Sequence, residues 1–393
     1  MQIVKSKVAT LTATLILAGI ISLHSGISLI MSTYTINSFG SIGVPQTLPL
    51  HIEGSYIKDD LGRVVYLRGV VRVSFTDDST GWWQPEGGNA AEGLGHWDET
   101  AVRLHLQQIQ DLGINVIRLI ICVDWWKNNL ATTLSGAPAD RPYRDSIKNT
   151  IRLAEEYGIY VVFTAFVVRL PGHQDSYPWA HETDPNGEVI DTPDDWINFW
   201  VDVSTQLKSY SNVLYELWNE PVGPSEVEFF SEFQRAIDAI RANGDDHIII
   251  AHWGYCGYFD WMSRNPLNDP AGNILYSNHI YRQPPGSTMD PGQLYQYDDI
   301  KNQLLNYWNY TYMLDNNLPI FIGEIGAWYG IDPNELVFFN NTLTILNEWG
   351  ASYTAMVWDR PDMVWALQQN TLAPFPLNDA GQILIDAIAA AKT

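Results

Sequence analysis

Asp98–Leu112, Asn115-Val116-Ile117-Arg118-Leu119-Ile120-Ile121-Cys122, Asp145–Tyr157 and Tyr160-Val161-Val162-Phe163-Thr164-Ala165-Phe166-Val167 follow one another in a single stretch of the chain. In the first segment Val102, Leu106 and Ile109 recur at i, i+4 and i+7. In the third, Ile147, Ile151 and Ala154 do the same, so both segments are predicted as amphipathic helices. The second and fourth are apolar at almost every position, the pattern of strands buried on both faces. Such burial arises when parallel strands are covered by the helices that connect them. The stretch therefore predicts repeating strand–helix units.

The same alternation continues on either side. Further strands are expected at Val64–Val71, Asn212–Trp218, His247–Ala251, Ile274–His279, Ile320–Glu324 and Tyr353–Trp358. A helix is expected from a capping box at Ser225 and Glu228 to Gly244, with Phe230, Phe233, Ile237 and Ile240 as its buried stripe. Eight strand–helix units predict an α/β fold, a (β/α)8 barrel forming a single catalytic domain. A doubly wound open sheet is the rival, but no Gly-rich phosphate fingerprint follows the first strand.

Upstream of this body, Lys5 and Lys7 precede an apolar run, and no further charge occurs until Glu53. Residues 1–30 read as a secretory signal peptide or as a membrane anchor. Residues 31–50 form an uncharged spacer, and residues 51–393 the folded domain, placed outside the cell. The chain has 393 residues, with 45 acidic against 22 basic side chains and a formal charge of −23, which excludes a nucleic-acid binder. Two cysteines, Cys122 and Cys256, cannot make a disulfide framework.

In a barrel of this kind the chemistry sits at the C-terminal ends of the strands. Those ends carry Arg118, Asn219-Glu220-Pro221, His279, Tyr281, Glu324 and Trp358. Two carboxylates with an arginine and a tyrosine suit glycoside cleavage. One carboxyl, kept protonated, helps the leaving oxygen depart, and the other attacks the anomeric carbon or activates water. Glu216, four residues before Glu220, is expected below the mouth as a buried structural ion paired with Arg68. Sixteen tryptophans suggest an aromatic cleft for sugar rings. Trp126, Trp253, Trp328 and Trp358 are the candidate substrate-binding residues. No cofactor and no metal is expected, since His173, Asp175, His181, Glu182 and Asp184 match no standard ligand spacing.

The run Leu214-Tyr215-Glu216-Leu217-Trp218-Asn219-Glu220-Pro221 resembles the acid/base signature of glycoside hydrolase family 5. Ile320-Phe321-Ile322-Gly323-Glu324-Ile325-Gly326 resembles the nucleophile strand of that family. Leu67-Arg68-Gly69-Val70, Arg118, His279-Ile280-Tyr281 and Trp358 fall at its other recurring positions. The resemblance implies a (β/α)8 fold and a retaining double displacement. Glu220 would be the acid/base and Glu324 the nucleophile, with Arg118 and Tyr281 as partners of Glu324. Asn219 would bind the sugar 2-hydroxyl, His279 would orient the set, and Trp358 would be part of the sugar platform. One departure is that Phe163-Thr164-Ala165-Phe166 lacks the histidine usual at the end of strand three.

The leading expectation is an extracellular endo-β-1,4-glucanase, a monomer acting on a β-linked polysaccharide, with membrane attachment through the N-terminal segment left open. A β-mannanase on the same fold is the alternative. A non-catalytic carbohydrate-binding barrel is the alternative of a different class.

Overall fold

The computed structural model describes residues 47–72, 99–129, 142–166, 192–254, 260–282, 296–327, 333–358 and 376–391, with Phe75, Trp97, Tyr177, Trp179 and Leu367. Residues 1–30, expected as a signal peptide or anchor, and His173, Asp175, His181, Glu182 and Asp184 of the expected loop, with Cys256 and Trp328, lie outside the described residues.

A short antiparallel pair, β1 (Leu50–Glu53) and β2 (Tyr56–Asp59), precedes the barrel. The barrel strands are β3 (Arg68–Arg72), β4 (Val116–Cys122), β5 (Tyr160–Phe166), β6 (Val213–Glu216), β7 (Ile249–His252), β8 (Ile274–Tyr281), β9 (Ile320–Gly326) and β10 (Ser352–Ala355). They pair in parallel in chain order, and β10 closes on β3. This is the (β/α)8 barrel expected from the apolar runs. Thr47 and Leu48, assigned to the spacer by their lack of charge, instead pack on the body. Thr47 is buried, and the Leu48 amide donates to the Tyr160 hydroxyl at 3.2 Å.

Two apolar sets build the fold. Leu67, Val116, Val162, Leu214, Ile250, Leu275 and Phe321 form one cluster, contributed by alternate positions of the strands. The opposite faces of the strands pack against the connecting helices in the larger cluster. Among those helices, α1 (Glu99–Asp111) buries Val102, Leu106 and Ile109, and α3 (Tyr143–Glu156) buries Ile147, Ile151 and Ala154. α4 (Pro193–Leu207) starts with a reciprocal cap between Thr192 and Asp195. In α5 (Glu226–Ala242) Ser225 caps the Glu228 amide as expected. The Glu228 carboxylate, however, accepts from Trp179 Nε1 at 3.0 Å. The buried stripe of α5 uses Phe229 in place of Phe230.

The pairing of β8 with β9 contains one irregularity that matters for the site. Ser277 faces Phe321 and Asn278 faces Ile322, but His279 faces Glu324. Gly323 is the extra residue. A strand alternates its side chains strictly, so an inserted residue exchanges the faces beyond it. Phe321 and Glu324, three positions apart, therefore both point into the barrel.

Candidate active site

Arg118, in the middle of β4, is wholly buried, and each of its three nitrogens has a different acceptor. Nε donates to Glu216 Oε2 at 2.5 Å, Nη1 to Glu324 Oε1 at 2.7 Å and Nη2 to Asn219 Oδ1 at 2.7 Å. One guanidinium thus ties β4 to the ends of β6 and β9. The second oxygen of Glu324 accepts from the Tyr281 hydroxyl at 2.7 Å. Glu220, one residue beyond Asn219, has its Oε1 2.7 Å from His279 Nδ1, and the same nitrogen lies 3.6 Å from Glu324 Oε2. A carboxylate oxygen of Glu220 and one of Glu324 lie within 4.8 Å of each other.

Charge and burial act against each other at Glu216, Glu220 and His279. Burial would raise the carboxyl of Glu216, but the positive charge of Arg118 together with the contacts of His252 and Arg118 outweighs it and keeps Glu216 ionised well below the usual range. Burial would also raise Glu220, and here the hydrogen bond and charge of His279 prevail and hold it low. Burial lowers His279, yet Glu324 and Glu220 more than compensate and raise it. Burial and the neighbouring Glu324 push the Tyr281 phenol far above its ordinary value, so it remains a donor.

The structure brings together Glu220, Glu324, Arg118, Asn219, His279 and Tyr281, which the sequence placed at the strand ends. It corrects the partner of Glu216. Arg68 lies on the opposite face of β3, with its guanidinium 4.8 Å from the ring of Tyr66 and 5.9 Å from that of Tyr353. Glu216 is bound by Arg118, and Thr164 Oγ1 adds a bond of 2.7 Å.

The tryptophan assignments change as well. Trp126, in α2 (Val123–Asn128), is buried edge-on against Phe163, and its indole N–H donates to Asp202. Trp253 follows His252 and points the other way, packing on Tyr276 with ring centres 5.3 Å apart. Both fill the strand–helix layer, where large rings are needed for volume. Trp358 is 1% exposed and donates its indole N–H to His105 Nδ1 at 3.0 Å, so it presents no free face to a sugar.

Three residues of the cluster escaped the sequence reading, namely Thr164, Ser277 and His252. Ser277 Oγ accepts from the Gly323 amide at 3.2 Å. His252 lies one residue past the expected end of its strand, in phase with the inward-facing Ile248 and Ile250. Among the described residues two donor sets have the composition for a cation, Glu216 with His252 and His279, and Glu220 with His279 and Glu324. Arg118 already supplies the positive charge to Glu216 and Glu324.

A closed parallel barrel with facing carboxylates at its strand ends defines the class of (β/α)8 barrels that carry an acidic pair. The family described as Cellulase (glycosyl hydrolase family 5) matches residues 87–370, and the chain belongs to it. Endoglucanase A of Butyrivibrio fibrisolvens is 23% identical over 278 residues, 70% of this chain and 52% of its own length. The probable endo-beta-1,4-glucanase B of Aspergillus oryzae is 25% identical over 183 residues, 45% of this chain and 50% of its own. The chain thus spans about half the length of the curated relatives it matches. A β-glucanase from Saccharophagus degradans shares the fold, with a TM-score of 0.63 at 19% identity, covering 91% of this chain and 98% of the other. That protein is also known in complex with cellotetraose.

Proposed function

We propose that this chain is a retaining endo-β-1,4-glucanase. The observation that carries the reading is the pair Glu220 and Glu324, with carboxylate oxygens within 4.8 Å. Retention is associated with carboxyl groups about 5 to 5.5 Å apart, whereas inversion needs about 6.5 to 9.5 Å to admit a water. The partners support distinct roles. Glu324, gripped by Arg118 and Tyr281, is kept ionised and aimed as the nucleophile. Glu220 shares a proton with His279 and is the acid that protonates the leaving oxygen, then the base that activates water. Asn219, anchored by Arg118, turns its amide nitrogen to the sugar 2-hydroxyl. The glucan preference rests on the names of the relatives, and the basic-then-apolar leader supports an extracellular location.

The test is turnover of carboxymethylcellulose, β-glucan, mannan and xylan by the purified protein, followed by azide rescue of two variants on an activated glycoside. Glu324→Ala with azide should give the glycosyl azide of inverted configuration, and Glu220→Ala that of retained configuration. The opposite pattern would reverse the roles, and preference for mannan would move the substrate to the mannanase alternative.

A further inference from the structure

His252, the last residue of β7, is wholly buried, and its Nε2 faces two groups with opposite demands. The backbone N–H of Glu220 donates to this nitrogen at 3.2 Å. Oε1 of Glu216, which can only accept while ionised, lies 3.4 Å from the same nitrogen. An imidazole nitrogen either accepts or carries a proton, so it serves Glu220 in one state and Glu216 in the other. Burial lowers the proton affinity of His252, and the charges of His279 on β8 and Arg118 on β4 act in the same direction, while Glu216 on β6 opposes them. The neutral ring keeps one proton, and with that proton on Nδ1 the bare Nε2 accepts from the Glu220 amide, the shorter of its two contacts.

Glu220 needs such a hold. Its φ is +46°, in the left-handed region that a side chain with a Cβ rarely adopts. It also directly precedes Pro221, which further restricts its backbone. A strained residue persists only where its surroundings fix it. Here the amide is fixed by His252 from β7, and the carboxylate by His279 from β8. The two imidazoles meet edge to face, with centres 4.8 Å apart, so the Glu220 backbone and side chain are held by neighbouring rings.

We propose that His252 is a positioning residue of the acid/base, its bare Nε2 holding the Glu220 backbone in the left-handed conformation that aims the carboxyl at His279 and Glu324. Protonation of Nε2 would turn its bond toward Glu216 Oε1 and release the Glu220 amide. The inference rests on the reading of Glu220 as the acid/base.

The test compares the parent with His252→Leu and His252→Gln. Leucine fills the space but accepts nothing, and kcat should fall by about 100-fold with KM changed by less than about threefold, the signature of a misaimed group in a site that still binds. The side-chain oxygen of glutamine accepts from the Glu220 amide while its nitrogen donates to Glu216, so His252→Gln should recover most of that loss. A His252→Leu variant with the kcat of the parent, or a His252→Gln variant no better than leucine, would overturn the proposal. A second measurement is independent of turnover and of variant folding. Nitrogen NMR of 15N-histidine-labelled full-length parent at neutral pH should show His252 protonated at Nδ1 and bare at Nε2, and a proton on Nε2 would refute the proposal. If the parent cleaves none of the glucans, the glycosidase reading falls, while the NMR result still decides the bond between His252 and Glu220.

Discussion

Arg118 Nε donates to Glu216 Oε2 at 2.5 Å, and neither side chain reaches solvent. A buried ion pair broken from one side leaves a charge with no compensation. Glu216→Ala is therefore expected to cost about 3 to 5 kcal/mol of folding stability. Denaturant unfolding would measure it, and a loss below about 1 kcal/mol would mean that the pair is dispensable.

Arg118 also carries Glu324 and Asn219, on separate nitrogens. A lysine in its place has one nitrogen and cannot reach three divergent acceptors. Arg118→Lys should preserve the charge of the site yet lower kcat by about 100-fold or more, since the candidate nucleophile loses its orientation. Activity within threefold of the parent would show that charge alone suffices.

Gly323 is a close-approach glycine. A Cβ built there would stand 2.7 Å from Ser277 Oγ, 2.9 Å from His279 Nε2 and 3.2 Å from Glu216 Oε1. None of these three buried groups can move freely. Gly323→Ala should destabilise by about 1 to 3 kcal/mol and displace His279 from Glu220. The check is a combined melt and kcat measurement, and a variant unchanged in both would contradict the packing described.

Glu220 is held low by its contact with His279, and His279 is held high by Glu324 and Glu220 together, so Glu220 and His279 titrate as one unit that keeps a proton between them across the interval. In the proposed mechanism leaving-group departure draws on that proton. A raised value means the proton is retained to higher pH, so the basic limb of kcat/KM should lie above the 6.5 of ordinary histidine. In His279→Gln the proton resides on Glu220 alone, and the limb should fall by about one to two pH units toward the carboxyl range. A limb that stayed in place or rose would show that the pair does not govern it. Tyr281 cannot supply that limb, because burial and Glu324 keep its phenol protonated far into the alkaline range.

The eight strands were legible because parallel strands covered on both faces carry nearly unbroken apolar runs, and the position of Arg118, Glu220, Glu324, His279 and Tyr281 at or near their ends followed from the fold. Lateral distance was not legible. Arg68 and Arg118 are equally plausible partners for Glu216 in one dimension, and only the opposite face of Arg68 on β3 separates them. The tryptophans were misread for a similar reason. Trp126 and Trp253 lie near strand ends in the chain, but Trp126 belongs to α2 and Trp253 follows the inward-facing His252, so both pack into the helix layer. His252 was hidden by a boundary error of one residue, with Ile248 and Ile250 as the available signal.

The extra residue in β9 gives this strand an unusual relation to sequence change. Shortening it by one position would leave every apolar residue and the glutamate itself in place. The carboxylate would nevertheless rotate out among the helices, where neither Arg118 nor Tyr281 could meet it. The placement of the carboxylate in this chain thus depends on a count as well as on identities. A related chain that matches all the motif letters but lacks one residue between Phe321 and Glu324 should be an inactive barrel, recognisable as such before any assay.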